Sequence, residues 1–346
     1  RYTEENANEA LNDLDTLLNS IIQEQSVADV PLGSFLSGGI DSSLVSAYLQ
    51  AQSSTQIDTF TIGFDEKEFN EAEHAKQVAR HIGSSHNEYY LSAKEARETI
   101  PKLTEINDEP FANASQLPTY LVSKFAKSKL TVCLSGDGGD ELFCGYNRYV
   151  EGRRFHQLAN KIPLPLRRGI RGAVSHIPPQ LIDQLYALVN QLKGKKGGAN
   201  LAIKIKKAAE ALNIEDPSAL YQFLCSYHQQ PSSLLQGTQD LTQPDLNSFN
   251  NAYLNAAMAW DQAWYLPGDN LFKSDRASMA VSLEMRVPLL DRDLIEFSWR
   301  VSNGLKYRDG QSKWLLRQLL YKKVPKEIIE RPKMGFTVPI SQWIRT

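Results

Sequence analysis

Three short stretches gather residue types suited to phosphate chemistry. The first is Ser37-Gly38-Gly39-Ile40-Asp41-Ser42-Ser43. Two glycines let a backbone approach a ligand closely, and a helix opening after them offers unpaired N–H groups and its positive dipole end. Ser37, Ser42 and Ser43 add hydroxyl donors, which completes a cradle for phosphate. It is not a Walker A loop, whose spacing ends in Gly-Lys-Ser/Thr. Asp41 by itself would repel a phosphate. It is accounted for if it holds Mg²⁺, which bridges carboxylate and phosphate oxygens. The competing account is a plain turn with an N-capping Asp, which leaves the rest of the heptad unexplained.

The second stretch is Ser135-Gly136-Asp137-Gly138-Gly139-Asp140-Glu141. Carboxylates crowd in this way only where a cation or a donor-rich site compensates them. Asp41 and Asp140 could share one Mg²⁺, with the backbone of Ser135 and Gly136 facing a nucleotide. The third is Lys313-Trp314-Leu315-Leu316-Arg317. A Lys and an Arg four apart share a helix face. Such a pair alone is more often a solvated face, but here it could meet the α- and β-phosphates and stabilise charge on a departing pyrophosphate.

Alternating elements must position these residues. A helical spacing of apolar residues runs over Thr3–Gln25. Short apolar runs predict strands at Val30–Leu36, Ile57–Ile62, His86–Leu91 and Leu130–Leu134. Helices are predicted at Asp41–Leu49, Glu71–Ile82, Ala93–Ile106 with a break near Pro101, and Leu117–Ser128. The alternation implies an α/β fold, a mainly parallel sheet with helices on both faces. Right-handed crossovers put the loops after strands at one edge, where such sheets bind ligands. Beyond about Gly145 the strand signals fade, and the second half reads as an all-helical region packed on the sheet. Its helices include Arg153–Leu192 with proline breaks, Ile203–Leu212, Asn251–Leu266 and Gln311–Lys322. Gly194–Gly198 and Pro231–Asn250 read as loops. Glu284 and Arg286, with Asp275, Arg276 and Asp291, read mainly as structural ion pairs. The basic stretch Lys193, Lys195, Lys196, Lys204, Lys206 and Lys207 reads as a solvated face. Asn107–Pro110 stands before the Leu117 helix without an assigned ligand.

The 346 residues, 42% hydrophobic and 23% charged, exclude a wholly disordered chain and a coiled coil. A formal net charge of −2 gives no support for nucleic-acid binding. Three cysteines, Cys133, Cys144 and Cys225, are too few and too odd in number for a disulfide framework and point to a reducing, cytoplasmic setting. No apolar run is long enough for a membrane span. The chain starts at Arg1 rather than Met and reads as a piece of something longer.

In these stretches the chain resembles the ATP pyrophosphatases that form acyl-adenylates. The first heptad looks like their pyrophosphate loop. The second stretch is similar to the Ser-Gly-Glu-Gly-Ser-Asp-Glu block of the C-terminal synthetase domain in the asparagine synthetase (glutamine-hydrolysing) family. The run Asp269–Asp291, with its Glu-x-Arg-Val-Pro-x-x-Asp core, and the Lys-x-x-Leu-Arg of Lys313–Arg317 resemble later blocks of that family. The resemblance implies a Rossmann-like fold of the adenine nucleotide alpha hydrolase type: residues 1–25 a leading helix, 26–150 the ATP pyrophosphatase core, 151–346 a helical region completing the active site. It implies ATP and Mg²⁺. Asp41 and Asp140 would hold the metal. Ser37, Gly38, Gly39, Asp41, Ser42, Ser43 and Lys313 would hold pyrophosphate. Leu36 and Ile62 would line the adenosine site, and Ser135 and Gly136 would bind the nucleotide through their backbone. Lys313 and Asp137 would be catalytic, Asp137 as proton acceptor.

The implied reaction adenylates an acid, aspartate in the first instance, and then forms an amide with ammonia. In the family a preceding glutaminase domain with an N-terminal Cys nucleophile supplies the ammonia. No Cys precedes Cys133, so that domain is expected to lie outside this chain. A second copy, in a homodimer, is the other expected protein partner. Asp137 and Gly139 stand where asparagine-forming members usually carry Glu and Ser. That departure opens a second reading, an amide or lactam synthetase acting on another acid, as in polysaccharide or antibiotic pathways.

Overall fold

Apolar runs bounded by turn residues form strands β1 (Leu32–Phe35), β2 (Asp58–Phe64), β3 (Ser85–Leu91) and β4 (Val132–Leu134). The computed structural model describes residues 1–64, 70–184, 201–226, 231–234, 237 and 252–330. A fifth strand, β5 (Glu284–Arg286), joins them in the order β3-β2-β1-β4-β5, all parallel. β5 corrects the expectation of an all-helical second half. Its register is held by Glu284 N–H donating to Thr131 O (2.9 Å) and Ser135 N–H donating to Arg286 O (2.8 Å). As an edge strand it needs pairing on one side only. Its charged Glu284 and Arg286 form an ion pair (2.6 Å) with Glu284 exposed, a common way to blunt a sheet edge.

Helices cover both faces because adjacent strand residues point to opposite sides. Leu134 joins one core and Cys133 the other. The first core takes α1 (Ala7–Gln25), α2 (Ile40–Gln52), α3 (Ala72–Ile82) and the helix Trp314–Tyr321, through Leu14, Leu18, Tyr48, Val78, Leu316 and Leu320. The second takes α4 (Ala93–Ile106), α5 (Gln116–Lys127) and the helix Phe272–Met279. α3 ends at Gly83 in the left-handed region (φ 77°), the usual C-terminal stop. α4 runs unbroken through Pro101, which lies on its exposed side. Ser92 Oγ caps it by accepting from Glu95 N–H (3.3 Å).

The chain divides into two units. One comprises Arg1–Gly145 and the segment from Trp264 onward; the other is Tyr146–Ala263. Among the described residues the second unit includes the helices Asn147–Ala159, Leu164–His176, Leu201–Ala211, Pro217–Cys225 and Tyr253–Trp260. Its polar centre is Asp261, fully buried, which accepts from Tyr149 OH (2.5 Å), Tyr221 OH (2.7 Å) and Arg148 (2.8 Å). Of the basic stretch, Lys193, Lys195 and Lys196 lie outside the described residues, as do Gly194–Gly198 and most of Pro231–Asn250. Lys207 is not a solvated residue. Its ammonium donates to Leu224 O (2.7 Å) and Ser226 O (3.1 Å) at the end of the helix Pro217–Cys225, where a cation satisfies open carbonyls. Among the described residues no helix is long and apolar enough to cross a membrane; Cys133 and Cys144 are buried and Cys225 is half-buried.

Candidate active site

The strand order reverses between β1 and β4. From β1 the chain moves outward through β2 and β3; on the other side it moves through β4 and β5. Loops leaving two such strands diverge and open a crevice at their C-terminal ends. Ser34 of β1 pairs with Leu134 of β4, so the loops after these strands are neighbours.

The loop after β1 is tied internally. Ser37 N–H donates to Ser42 Oγ (3.1 Å), the two hydroxyls lie 2.9 Å apart, and Gly39 N–H donates to Ser37 Oγ (3.2 Å). The turn passes through Gly38 at φ 73°. α2 then opens at Ile40, with Asp41 in its first turn and Ser43 N–H donating to Gly39 O (3.0 Å). The Ser43 side chain is fully buried, and its hydroxyl has no partner among the described residues.

The second loop lies directly against the first. A Cβ on Gly136 would stand 2.6 Å from Ser42 N and 2.8 Å from the Asp41 carbonyl carbon, so only glycine permits this approach. Gly145 plays the same part at the other end, where a methyl would overlap Asp140 Oδ1 and Lys313 Cε. These contacts bring Asp41, Asp140 and Lys313 together. Lys313 Nζ pairs with Asp41 Oδ2 and lies 2.7 Å from Asp140 Oδ1. The Lys313 side chain is only 5% exposed. Burial alone would push its ammonium down, but Asp140 and Asp41 outweigh that and hold its pKa above the ordinary lysine value.

Lys313 is not on a helix, contrary to the sequence expectation. It follows a hairpin, β6 (Tyr307–Arg308) paired with β7 (Gln311–Ser312), and caps the helix Trp314–Tyr321 in the left-handed region at φ 55°. Asp309 and Gly310 turn the hairpin at φ 51° and 80°, as a tight two-residue turn requires. Lys306 stands at the other base of the hairpin. It is 1% exposed, its ammonium lies 5.1 Å from the centre of the Trp299 ring, and no carboxylate among the described residues pairs with it. Burial pushes its pKa down to about 7.

Unlike Lys313, Arg317 is not brought to Asp41 and Asp140. It pairs with Glu330 and donates from Nε to Ser312 O (2.7 Å). Leu36 and Ile62 are both buried but belong to different cores, so their side chains do not meet. Ser135 is buried, and its hydroxyl donates to Asp137 Oδ2 (3.0 Å).

Two residues on the site were not singled out from sequence. Ser274 Oγ donates to Asp137 Oδ2 (3.3 Å), and Asn270 Nδ2 donates to Glu141 Oε1 (3.0 Å). Nearby, Arg276 pairs with Asp108 (3.0 Å), Phe272 packs on Phe111 (5.1 Å) and Asn113 donates to Asp269 (2.5 Å). The segment from Asp269 to Arg276 therefore touches both the acid loop and the Asp108–Asn113 loop. No signal in the sequence told which helical Ser or Asn faces a carboxylate; the i, i+4 spacing of Asn270 and Ser274, matching that of Asp137 and Glu141, is the one available hint.

Among the described residues no group of three or more His, Cys, Asp or Glu side chains is placed to hold a metal ion. A Mg²⁺ that keeps its waters and shares phosphate oxygens needs only one or two protein carboxylates. Asp41 and Asp140 already converge on one positive centre, the Lys313 ammonium. The donor set therefore fits that ion.

This sheet, with a Gly/Ser loop and an acidic Gly loop on either side of its reversal point, defines a Rossmann-like α/β synthetase domain. The asparagine synthase family model matches residues 13–346, and the chain belongs to that family. It is 30% identical over 320 residues to asparagine synthetase [glutamine-hydrolyzing] 1 of Bacillus subtilis, covering 92% of this chain and 48% of that protein. It is 32% identical over 356 residues to a putative asparagine synthetase [glutamine-hydrolyzing] of Mycobacterium bovis, covering 99% of this chain and 50% of the relative. The human asparagine synthetase [glutamine-hydrolyzing] is 35% identical over 145 residues, 39% of this chain and 25% of that one. The chain thus spans about half the length of the first two relatives.

Proposed function

We propose that this chain is the synthetase part of an amide-forming ligase: it adenylates a carboxylic acid with ATP, releases pyrophosphate, and forms an amide with ammonia. The observation that carries this reading is the convergence of two distant glycine-rich loops and Lys313 on one spot, with Asp41 and Asp140 held to a single ammonium. Aspartate is the proposed acceptor, by family membership. Relatives twice as long are named glutamine-hydrolyzing, so in the whole protein we assign ammonia supply to a glutaminase domain.

In this mechanism the Ser37–Ser43 loop and the N-terminus of α2 receive the β- and γ-phosphates. The strand ends at Leu36 and Ile62, with the backbone of Ser135 and Gly136, receive the nucleoside. A carboxylate oxygen of the acid attacks the α-phosphorus, and the bond to the bridging oxygen breaks with its electron pair leaving on pyrophosphate. Lys313 stabilises that growing negative charge, which a buried, pre-placed ammonium does well because it needs no reorganisation. Asp41 and Asp140 would hold Mg²⁺, whose chemistry there is to neutralise phosphate oxygens. Ammonia then attacks the acyl carbon, Asp137 takes the proton from the new nitrogen substituent, and AMP leaves.

Pyrophosphate release with ATP, Mg²⁺ and ammonium, with and without aspartate, tests this. Aspartate-dependent release is expected; no release with any acid overturns it. The shorter Asp137, where the family block usually has Glu, favours a second reading with another acceptor acid. Release with a different acid from a panel, and not with aspartate, would establish that reading instead.

A further inference from the structure

Asp137 Oδ2 accepts two hydrogen bonds, one from Ser135 Oγ (3.0 Å) and one from Ser274 Oγ (3.3 Å). Both fall on the same oxygen, and Oδ1 accepts none among the described residues. The two donors differ in kind. Ser135 belongs to the same loop and also accepts from Asp137 N–H (3.4 Å), so it moves with the group it holds. Ser274 is 3% exposed on the helix Phe272–Met279, which packs into the second core. It is the tie between Asp137 and a fixed element. One turn earlier Asn270 ties Glu141, itself 1% exposed, in the same manner (3.0 Å).

We infer that Ser274 is a positioning residue for Asp137: it fixes the carboxylate through Oδ2 so that Oδ1 is the oxygen that receives the proton from ammonia. The inference rests on the reading above and concerns its second half. In that step the ammonia nitrogen forms a bond to the acyl carbon. The nitrogen loses a proton to Asp137 Oδ1, and the carbon–oxygen bond to AMP breaks with its electrons on the phosphate oxygen. Water competes for the same acyl carbon and returns the acid with AMP. An aspartate arm is one methylene shorter than glutamate, so its reach depends on being held. Ser274 therefore governs how much adenylate ends as amide and how much as hydrolysed acid.

The test is the ratio of amide formed to pyrophosphate released, with ATP, Mg²⁺, ammonium and an acid that supports release. The ratio is expected to fall about tenfold in S274A, the size carried by one lost hydrogen bond to a charged group, and to stay near the unsubstituted value in S274T, which keeps the hydroxyl. A thermal melt reports whether S274A is folded. If it is not, S274C, similar in volume and a weak donor, carries the same expectation. A slower S274A with an unchanged ratio shows a merely structural serine and overturns the inference. No pyrophosphate release by the unsubstituted chain with any acid overturns the adenylation reading itself, and that result is distinguishable from the first.

Discussion

Lys306 and Lys313 flank one short hairpin, and both are almost completely buried. Their charges are set in opposite directions. Lys313 lies between Asp41 and Asp140, and its pKa is held above the usual value. Lys306 meets the face of Trp299 and is pushed down to about 7. Depth in the protein is the same, so depth does not decide. Desolvation disfavours the ammonium at both positions, and only two close carboxylates reverse it. Lys313 is thus held as a cation between its two carboxylates, and Lys306 is divided between its charged and neutral forms near pH 7.

The largest expected effect breaks the pair on the Lys313 side. K313M should lower pyrophosphate release by on the order of 10³-fold, as removing a pre-placed stabiliser of developing charge does. A rate within tenfold of the unsubstituted chain would remove Lys313 from the mechanism. The second unit supplies a contrasting cation, the part-exposed Arg148, which pairs with a fully buried carboxylate. R148M leaves Asp261 without its ionic partner and should destabilise by about 3 kcal/mol, because a fully buried carboxylate loses its compensation. Urea unfolding would measure it, and an unchanged midpoint would show that Tyr149 and Tyr221 suffice.

Smaller is the pH effect of Lys306. Its folded-state pKa, about 7, lies below the unfolded lysine value of about 10.4. Between those two values the unfolded chain carries a proton that the folded one lacks. Stability therefore rises with pH across that window, by up to about 1.4 kcal/mol per pH unit, and the full cost of burying the charge is present below it. K306M should flatten the slope between about pH 8 and about pH 9.5 in urea titrations, roughly one unit inside the window at each end. Lys313 has the opposite sign: its contribution is fully present below the unfolded value and is lost as pH rises through its raised folded one. The smallest effect is at Arg317, paired with Glu330 away from the site. R317A should leave pyrophosphate release within about twofold and cost about 1 kcal/mol of stability. A loss as deep as that of K313M would return Arg317 to the phosphates.

The strand–helix alternation and both glycine loops were legible because each depends on local pattern: short apolar runs, glycines at turns, hydroxyls before a helix. β5 was not. Three residues alternating Glu-Met-Arg carry no apolar run, and pairing with β4 decides their state. The start of the last long helix was misplaced by reading Gln311–Lys322 as one element. The Asp309-Gly310 dipeptide was the available signal, since that pair favours a two-residue hairpin turn. Lys313 was singled out mainly because Lys313–Arg317 resembles a block of the family, and the structure places it as a helix cap beside Asp41 and Asp140 rather than inside a helix. Ser274 and Asn270 stayed hidden because a serine or asparagine in a helix announces nothing about what stands opposite.

The first unit is discontinuous in the chain: it pauses after Gly145 and resumes at Trp264. On a ribosome, which adds roughly 5–20 residues per second, β4 is finished well before β5 emerges. For on the order of ten seconds the strand that pairs with the free edge of β4, and the lysine that pairs with Asp41 and Asp140, have not yet been made. The newborn domain is therefore most exposed to sticking to other chains in this interval, and the cluster of Asp41, Asp140 and Lys313 is among the last features to be completed.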